Sequence, residues 1–194
     1  MPSGEDVPVK KITKNLLKIV IVGDGQVGKG TIRKGFCDEM FIHDYRETLG
    51  VDIGSKDIVA NEENFVLQVW DIASQERFVI NQELFFKGAS GAILVFDVTR
   101  RSSFDNIIKW FHSVKHVEKN NSNIILVGNK IDLRTPDTLC ITSEEGLELA
   151  NKLSEDNGSP VPYYETNALS GERVKEVLQI IADNAIANSH KKKE

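Results

Sequence analysis

Residues Gly23–Thr31 read GDGQVGKGT and directly follow the apolar run Leu16–Val22. They match G-x-x-x-x-G-K, a pattern that holds polyphosphate when it joins a strand to a helix. Glycine lets the backbone N–H groups of Gly25, Gln26, Val27 and Gly28 close around phosphate oxygens. The helix that follows offers unpaired N–H donors and the positive end of its dipole. Lys29 supplies a point charge for the β- and γ-phosphates. The next position, where Ser or Thr ligates Mg²⁺ with its hydroxyl, holds Gly30. Thr31 stands one residue later, about 100° further round the helix, and is not expected to reach the same spot.

A second constellation, Asn129-Lys130-Ile131-Asp132, ends another apolar run. An aspartate in N-K-x-D accepts from both N1–H and the 2-amino group of guanine. Adenine offers neither donor, and a buried acceptor left unpaired is costly. Asn129 is expected to reach the other base edge, and the Lys130 stem to lie on the ring. A third stretch, Glu165-Thr166-Asn167-Ala168-Leu169, places Asn167, Ala168 and Leu169 beside the base, with the Ala168 N–H aimed at the guanine oxygen. In isolation NKID is weak and the third stretch is an ordinary strand-to-helix loop. Their strength comes from following a phosphate loop at strand ends.

These sites need a scaffold of strands and helices. Leu16–Val22, Phe65–Trp70, Ala92–Phe96, Ile124–Val127 and Val161–Tyr164 read as strands whose near-continuous apolar character fits a buried, mostly parallel sheet. Val51–Ala60 joins Phe65–Trp70 through the turn-prone NEEN and predicts a hairpin. Helices are expected from Lys29 to about Asp38, over Phe104–Val117, and through Val174, Val177, Leu178, Ile181 and Ala185, which share one helix face. The fold class is α/β: a phosphate-loop domain with a mostly parallel six-stranded sheet and helices on both faces. We divide the chain into a loose arm at 1–14, the domain at 15–188 and a polar basic tail at 189–194.

Composition narrows the functions further. The chain has 194 residues, enough for one core and small for two. Its 24 basic against 29 acidic residues give a net charge of −5 and no general reason to bind nucleic acid. Its cysteines, Cys37 and Cys140, make no disulfide framework and fit a reducing, cytoplasmic setting. His112 and His116 have i, i+4 spacing, but no pattern of Cys or carboxylate supports a metal there; two surface histidines is the reading preferred. Trp110 and Phe111 read as packing residues.

With these motifs in hand the chain resembles the Ras superfamily of small GTPases, and the Rab branch most closely. WDIASQERF (Trp70–Phe78) is similar to the Rab motif WDTAGQERF, TLGVDI (Thr48–Ile53) to TIGVDF, and FFKGASGAILVFDVTRRSSF (Phe85–Phe104) to the segment that follows. The resemblance implies GTP or GDP as ligand, Mg²⁺ as cofactor, and slow hydrolysis of GTP to GDP. It implies that Phe41 packs on the guanine ring and Tyr45 covers the phosphates. Thr48 would ligate Mg²⁺ and sense the γ-phosphate, and Asp71 would hold Mg²⁺ through a water. Ser74 would lie at the γ-phosphate, and Gln75 would orient the attacking water as the catalytic residue. Effectors and regulators would meet residues 44–55 and 71–86, and the protein is expected to be a monomer.

Three departures qualify that picture. Gly30 lacks the metal-binding hydroxyl. Ser74 replaces a glycine whose N–H senses the γ-phosphate, and Glu47 replaces a proline before Thr48. The positions of the effector-reading aromatic triad hold Ile53, Trp70 and Phe85. We therefore expect nucleotide binding with weakened metal affinity and switching; the alternative is a degenerate domain serving as a nucleotide-binding scaffold. G-K-G-T also serves adenylate-kinase-like phosphotransferases, but NKID and WDIASQERF speak against a kinase. Rab tails carry prenylated cysteines, and none follows Cys140 here. The lysines of KKKE could touch an anionic membrane weakly, but a solvated tail is the reading preferred, and peripheral membrane contact is expected only with a lipidated tail.

Overall fold

The computed structural model describes residues 15–36, 50–60, 62–73, 82–117, 123–135, 137 and 139–191. Phe41, Tyr45, Thr48, Ser74 and Gln75 lie outside them, as do Cys37, Glu47 and the arm.

Six strands form one sheet: β1 (Asn15–Val22), β2 (Val51–Ala60), β3 (Glu63–Ile72), β4 (Gly91–Asp97), β5 (Ile124–Asn129) and β6 (Tyr163–Thr166). Their order is β2-β3-β1-β4-β5-β6. Among the described strands only β2 and β3 pair antiparallel, as the expected hairpin, and the other pairs are parallel. β1, β4 and β5 carry unbroken runs of buried residues toward their C-terminal ends, because helices cover both faces.

One face packs α1 (Lys29–Phe36) and α6 (Val174–Lys191) through Ile32, Phe36, Val177, Leu178 and Ile181. The other packs α2 (Gln82–Phe86), α3 (Arg101–Asp105), α4 (Ile107–Val117) and α5 (Ser143–Asn157) through Phe86, Ile107, Phe111, Leu149 and Leu153. The sheet order reverses direction about β1, so the connections after β1 and β4 diverge. The crevice at their C-terminal ends is where such sheets bind ligands.

Several boundaries differ from expectation. The sixth strand is Tyr163–Thr166 and not Val161–Tyr164. Pro162 has no N–H to give the ladder, and its carbonyl merely accepts from Leu126 at 2.9 Å. The helix expected over Phe104–Val117 starts earlier and is broken at Asn106, the cap between α3 and α4. α1 ends at Phe36. Helix α5 was not anticipated, although Thr142 and Glu145 form a reciprocal capping box at its start and Gly158 closes it in the left-handed conformation. Ser189–Lys191, read as tail, continue α6, where the His190 ring meets Phe65 edge-on.

Candidate functional site

The phosphate loop emerges from β1 into α1 as expected. Gly23 (φ +147°) and Gly28 (φ +99°) are positions only glycine fills without clash. A Cβ on Gly23 would strike the Val95 carbonyl, and one on Gly28 the Asn129 amide. Gln26 also has positive φ, at 65°, which a non-glycine residue holds at some cost in strain. Lys29 is buried, and its Nζ donates to the carbonyls of Gly23 and Asp24, each at 2.8 Å. Burial pushes the Lys29 ammonium below its ordinary pKa, outweighing the upward pull of Asp71 and Asp24. A bound polyphosphate would favour the charged form.

The loop is held from outside by residues that the sequence reading did not single out for this role. Asp24 accepts from the Trp110 indole N–H and from the Asn106 amide, both at 2.9 Å. The Arg100 guanidinium donates to the Gly25 carbonyl. The break at Asn106 thus frees a side chain to reach the loop. No local signal announces contacts that span some eighty residues; only an aspartate inside the glycine run hints at a partner. Trp110→Phe is expected to destabilise the protein by about 1.5–3 kcal/mol, the range for a hydrogen bond to a charged group. It should also speed nucleotide release. Urea unfolding checks the first effect, and unchanged stability would show that Asp24 does not need the indole.

Beside the loop lies a cavity of about 430 Å³ lined by Gln26, Gly28, Thr31, Asn129, Lys130, Asp132, Leu133, Asn167, Ala168 and Leu169. Its size suits a nucleoside. All three predicted constellations therefore meet in one place. Asp132 is exposed, and no described residue's hydrogen bond occupies its carboxylate, so it is available to a base. Lys130 takes a left-handed φ of 70° and its Nζ pairs with Asp97 at 2.6 Å, which leaves its stem along the cavity. Burial pushes the Asp97 carboxyl up, but bonds from Lys130 and Thr99 outweigh this and hold it below the ordinary carboxylate value.

Asn129 lines the cavity, and its buried amide is also a brace. Nδ2 donates to the Val27 carbonyl at 2.8 Å, while Oδ1 accepts from Thr166 Oγ1 at 3.0 Å and from the Ala168 N–H at 3.1 Å. The Ala168 N–H, expected to face the guanine oxygen, is thus already given to Asn129. One side chain ties the phosphate loop, β6 and the third base-site stretch together.

A second brace holds the loops on the far side of the cavity. Arg134 donates to both Glu165 oxygens at 2.9 and 3.2 Å, Ser143 donates to Oε1 at 2.8 Å, and the Tyr163 hydroxyl at 3.0 Å. Burial raises the Glu165 carboxyl, but these bonds outweigh it and the net shift is downward. A carboxyl depressed in the folded state stabilises above its unfolded pKa, and that stability is lost as pH falls through the folded value. Glu165→Gln should therefore lower the melting temperature at pH 7. The gap from the unchanged protein should narrow as pH drops below the ordinary value of 4.5. A gap that stays constant from pH 7 to pH 3 would count against this network.

Asp71 is the penultimate residue of β3 and is buried, and a Cβ on Gly30 would lie 3.1 Å from its Oδ2. Position 30 therefore faces Asp71, as a hydroxyl ligand would, but glycine brings no oxygen there. Thr31 lines the base cavity instead. No group of three or more His, Cys, Asp or Glu suited to a metal occurs among the described residues.

Residues 18–187 match the sequence profile of the Ras family. The chain belongs to the Ras family. Within it the relatives are of the Rab branch. The GTP-binding protein yptV2 of Volvox carteri is 34% identical over 172 residues, covering 89% of this chain and 76% of that protein. The Ras-related protein Rab7 of Drosophila melanogaster is 32% identical over 177 residues, covering 89% and 82%. The Ras-related protein SEC4 of Saccharomyces cerevisiae is 33% identical over 168 residues, covering 87% and 74%. This Ras-family chain is accordingly a small GTP-binding switch protein, of a family that uses GTP, GDP and Mg²⁺. Some of the positions at which the resemblance places effectors and regulators fall on β2, β3 and α2. Ile53 and Trp70 are cross-strand partners, Lys18 Nζ sits 3.9 Å from the Trp70 ring centre, and Leu84 is exposed on α2. Phe85 and Trp70 both pack at the edge of the same core cluster. No helix among the described residues is long and apolar enough to cross a membrane.

Proposed function

We propose that this protein is a Rab-like switch that holds guanine nucleotide mainly through its phosphate loop and base cavity, with a weakened grip on Mg²⁺ and slow hydrolysis. The observation that carries this reading is the pairing of an intact, doubly braced nucleotide cavity with a glycine facing Asp71. Lys29 and the loop N–H groups neutralise the phosphates, Asp132 selects guanine, and Gln75 orients the attacking water. Effectors and regulators dock on residues 44–55 and 71–86, and the protein acts as a cytoplasmic monomer.

The test is release of a fluorescent GDP analogue from the full chain, in MgCl₂ and in excess EDTA. Similar rates in both buffers are expected, because one metal ligand is missing. Strong acceleration by EDTA would overturn the weakened-metal reading and leave an ordinary GTPase cycle. A second reading, a nucleotide-bound scaffold without turnover, is favoured by the same Gly30. Single-turnover hydrolysis separates the two: slow hydrolysis abolished in Gln75→Ala supports the switch, and no hydrolysis supports the scaffold.

A further inference from the structure

The carboxylates of Asp52 and Asp71 stand beside a buried cation, Arg33. Arg33 lies on α1 three residues after Gly30, so both occupy the same helix face. It is only 4% exposed, and its guanidinium pairs with Asp52 on β2 at 2.8 Å. Asp52 is the cross-strand partner of Asp71, so both carboxylates stand on the sheet face that α1 covers. Asp71 in turn is the residue a Cβ at Gly30 would approach. Helical side chains lean toward the N-terminal end of their helix. Arg33 therefore lies along the face that Gly30 leaves bare, paired with Asp52 and one cross-strand position from Asp71.

The geometry points to Arg33 as a built-in countercharge for Asp52 and Asp71, which lets the nucleotide stay bound with little help from Mg²⁺. The inference rests on the proposed reading and deepens it: Gly30 removes a metal ligand, and Arg33 offsets the negative charge that the metal would otherwise neutralise. A guanidinium suits the task because it stays charged when buried. Asp52, half exposed at 53%, anchors it from β2. Arg33 is thus a positioning and charge-balancing residue that does not touch the phosphates itself.

Arg33→Met keeps the length and removes the charge. Release of the fluorescent GDP analogue is measured for the full chain and each variant, in MgCl₂ and in EDTA. The readout is the ratio of the two rates, not activity. Arg33→Met should raise that ratio by about tenfold, the size of a partly screened charge interaction over several ångströms. Arg33→Lys should restore a ratio near that of the unchanged protein. If Arg33 only ties α1 to β2, release would quicken equally in both buffers and the ratio would stay put, which overturns the inference. Should Arg33→Met fail to fold, Asp52→Asn at the half-exposed partner decides. It lowers the negative charge while Arg33 remains, so its ratio should not exceed that of the unchanged protein. A higher ratio would overturn the inference. The ratio of the unchanged protein tests the weakened-metal reading, and the change on substitution tests Arg33, so the two fail separately.

Discussion

Asn129→Ala should lower stability by about 3–5 kcal/mol, because it strands several buried polar groups at once. The Val27 carbonyl loses its donor, and Thr166 Oγ1 and the Ala168 N–H lose their acceptor. All three are engaged in buried bonds, so water does not readily replace the amide. The same side chain sets the spacing between the phosphate loop and the third base-site stretch. Nucleotide affinity is therefore expected to fall by roughly a hundredfold or more, since ~1.4 kcal/mol corresponds to each factor of ten. Urea unfolding and equilibrium GDP binding measure the two losses. A stability change under about 1 kcal/mol would place Asn129 among ordinary exposed residues and contradict the brace.

Asp132→Ala should act on selectivity and leave the fold nearly intact. The carboxylate is exposed, and no described residue's hydrogen bond occupies it, so its removal leaves no buried group stranded. Two hydrogen bonds from guanine N1–H and the 2-amino group to an ionised acceptor are worth about 1.5–3 kcal/mol each. Loss of both weakens GDP binding by roughly 10²–10⁴-fold. ADP, which has neither donor, should change little, so the preference for guanine collapses. Competition of GDP and ADP for the fluorescent analogue reads this directly. A guanine preference that survives Asp132→Ala would move base selection to another residue of the cavity. The contrast with Asn129 is diagnostic: one substitution costs stability and affinity together, the other affinity for one base alone.

Much of the architecture was readable because the relevant signals are local. The apolar runs at Leu16–Val22, Ala92–Phe96 and Ile124–Val127 are long enough to mark buried parallel strands, and the NEEN turn marked the hairpin. Errors gathered where a boundary depends on a single backbone group. Pro162 looks apolar but cannot join a ladder, and Asn106 looks helical but caps one helix before another. Helix α5 was missed because charged residues dilute its apolar face, although its capping box was there to be read.

The site divides the same way. Residue types and spacing alone showed a phosphate-loop pattern, an N-K-x-D motif and a glycine where the first motif has its metal-ligating hydroxyl. Each is a short, contiguous motif whose chemistry follows from its own atoms. Only the tertiary structure decided what holds those motifs together. The Asn129 brace, the Asp24 contacts with Asn106 and Trp110, and the Arg33–Asp52 pair near Asp71 join residues far apart in the chain. Their partners are set by sheet order and register. An isolated asparagine, tryptophan or arginine does not reveal which distant carbonyl or carboxylate the folded chain will bring within reach.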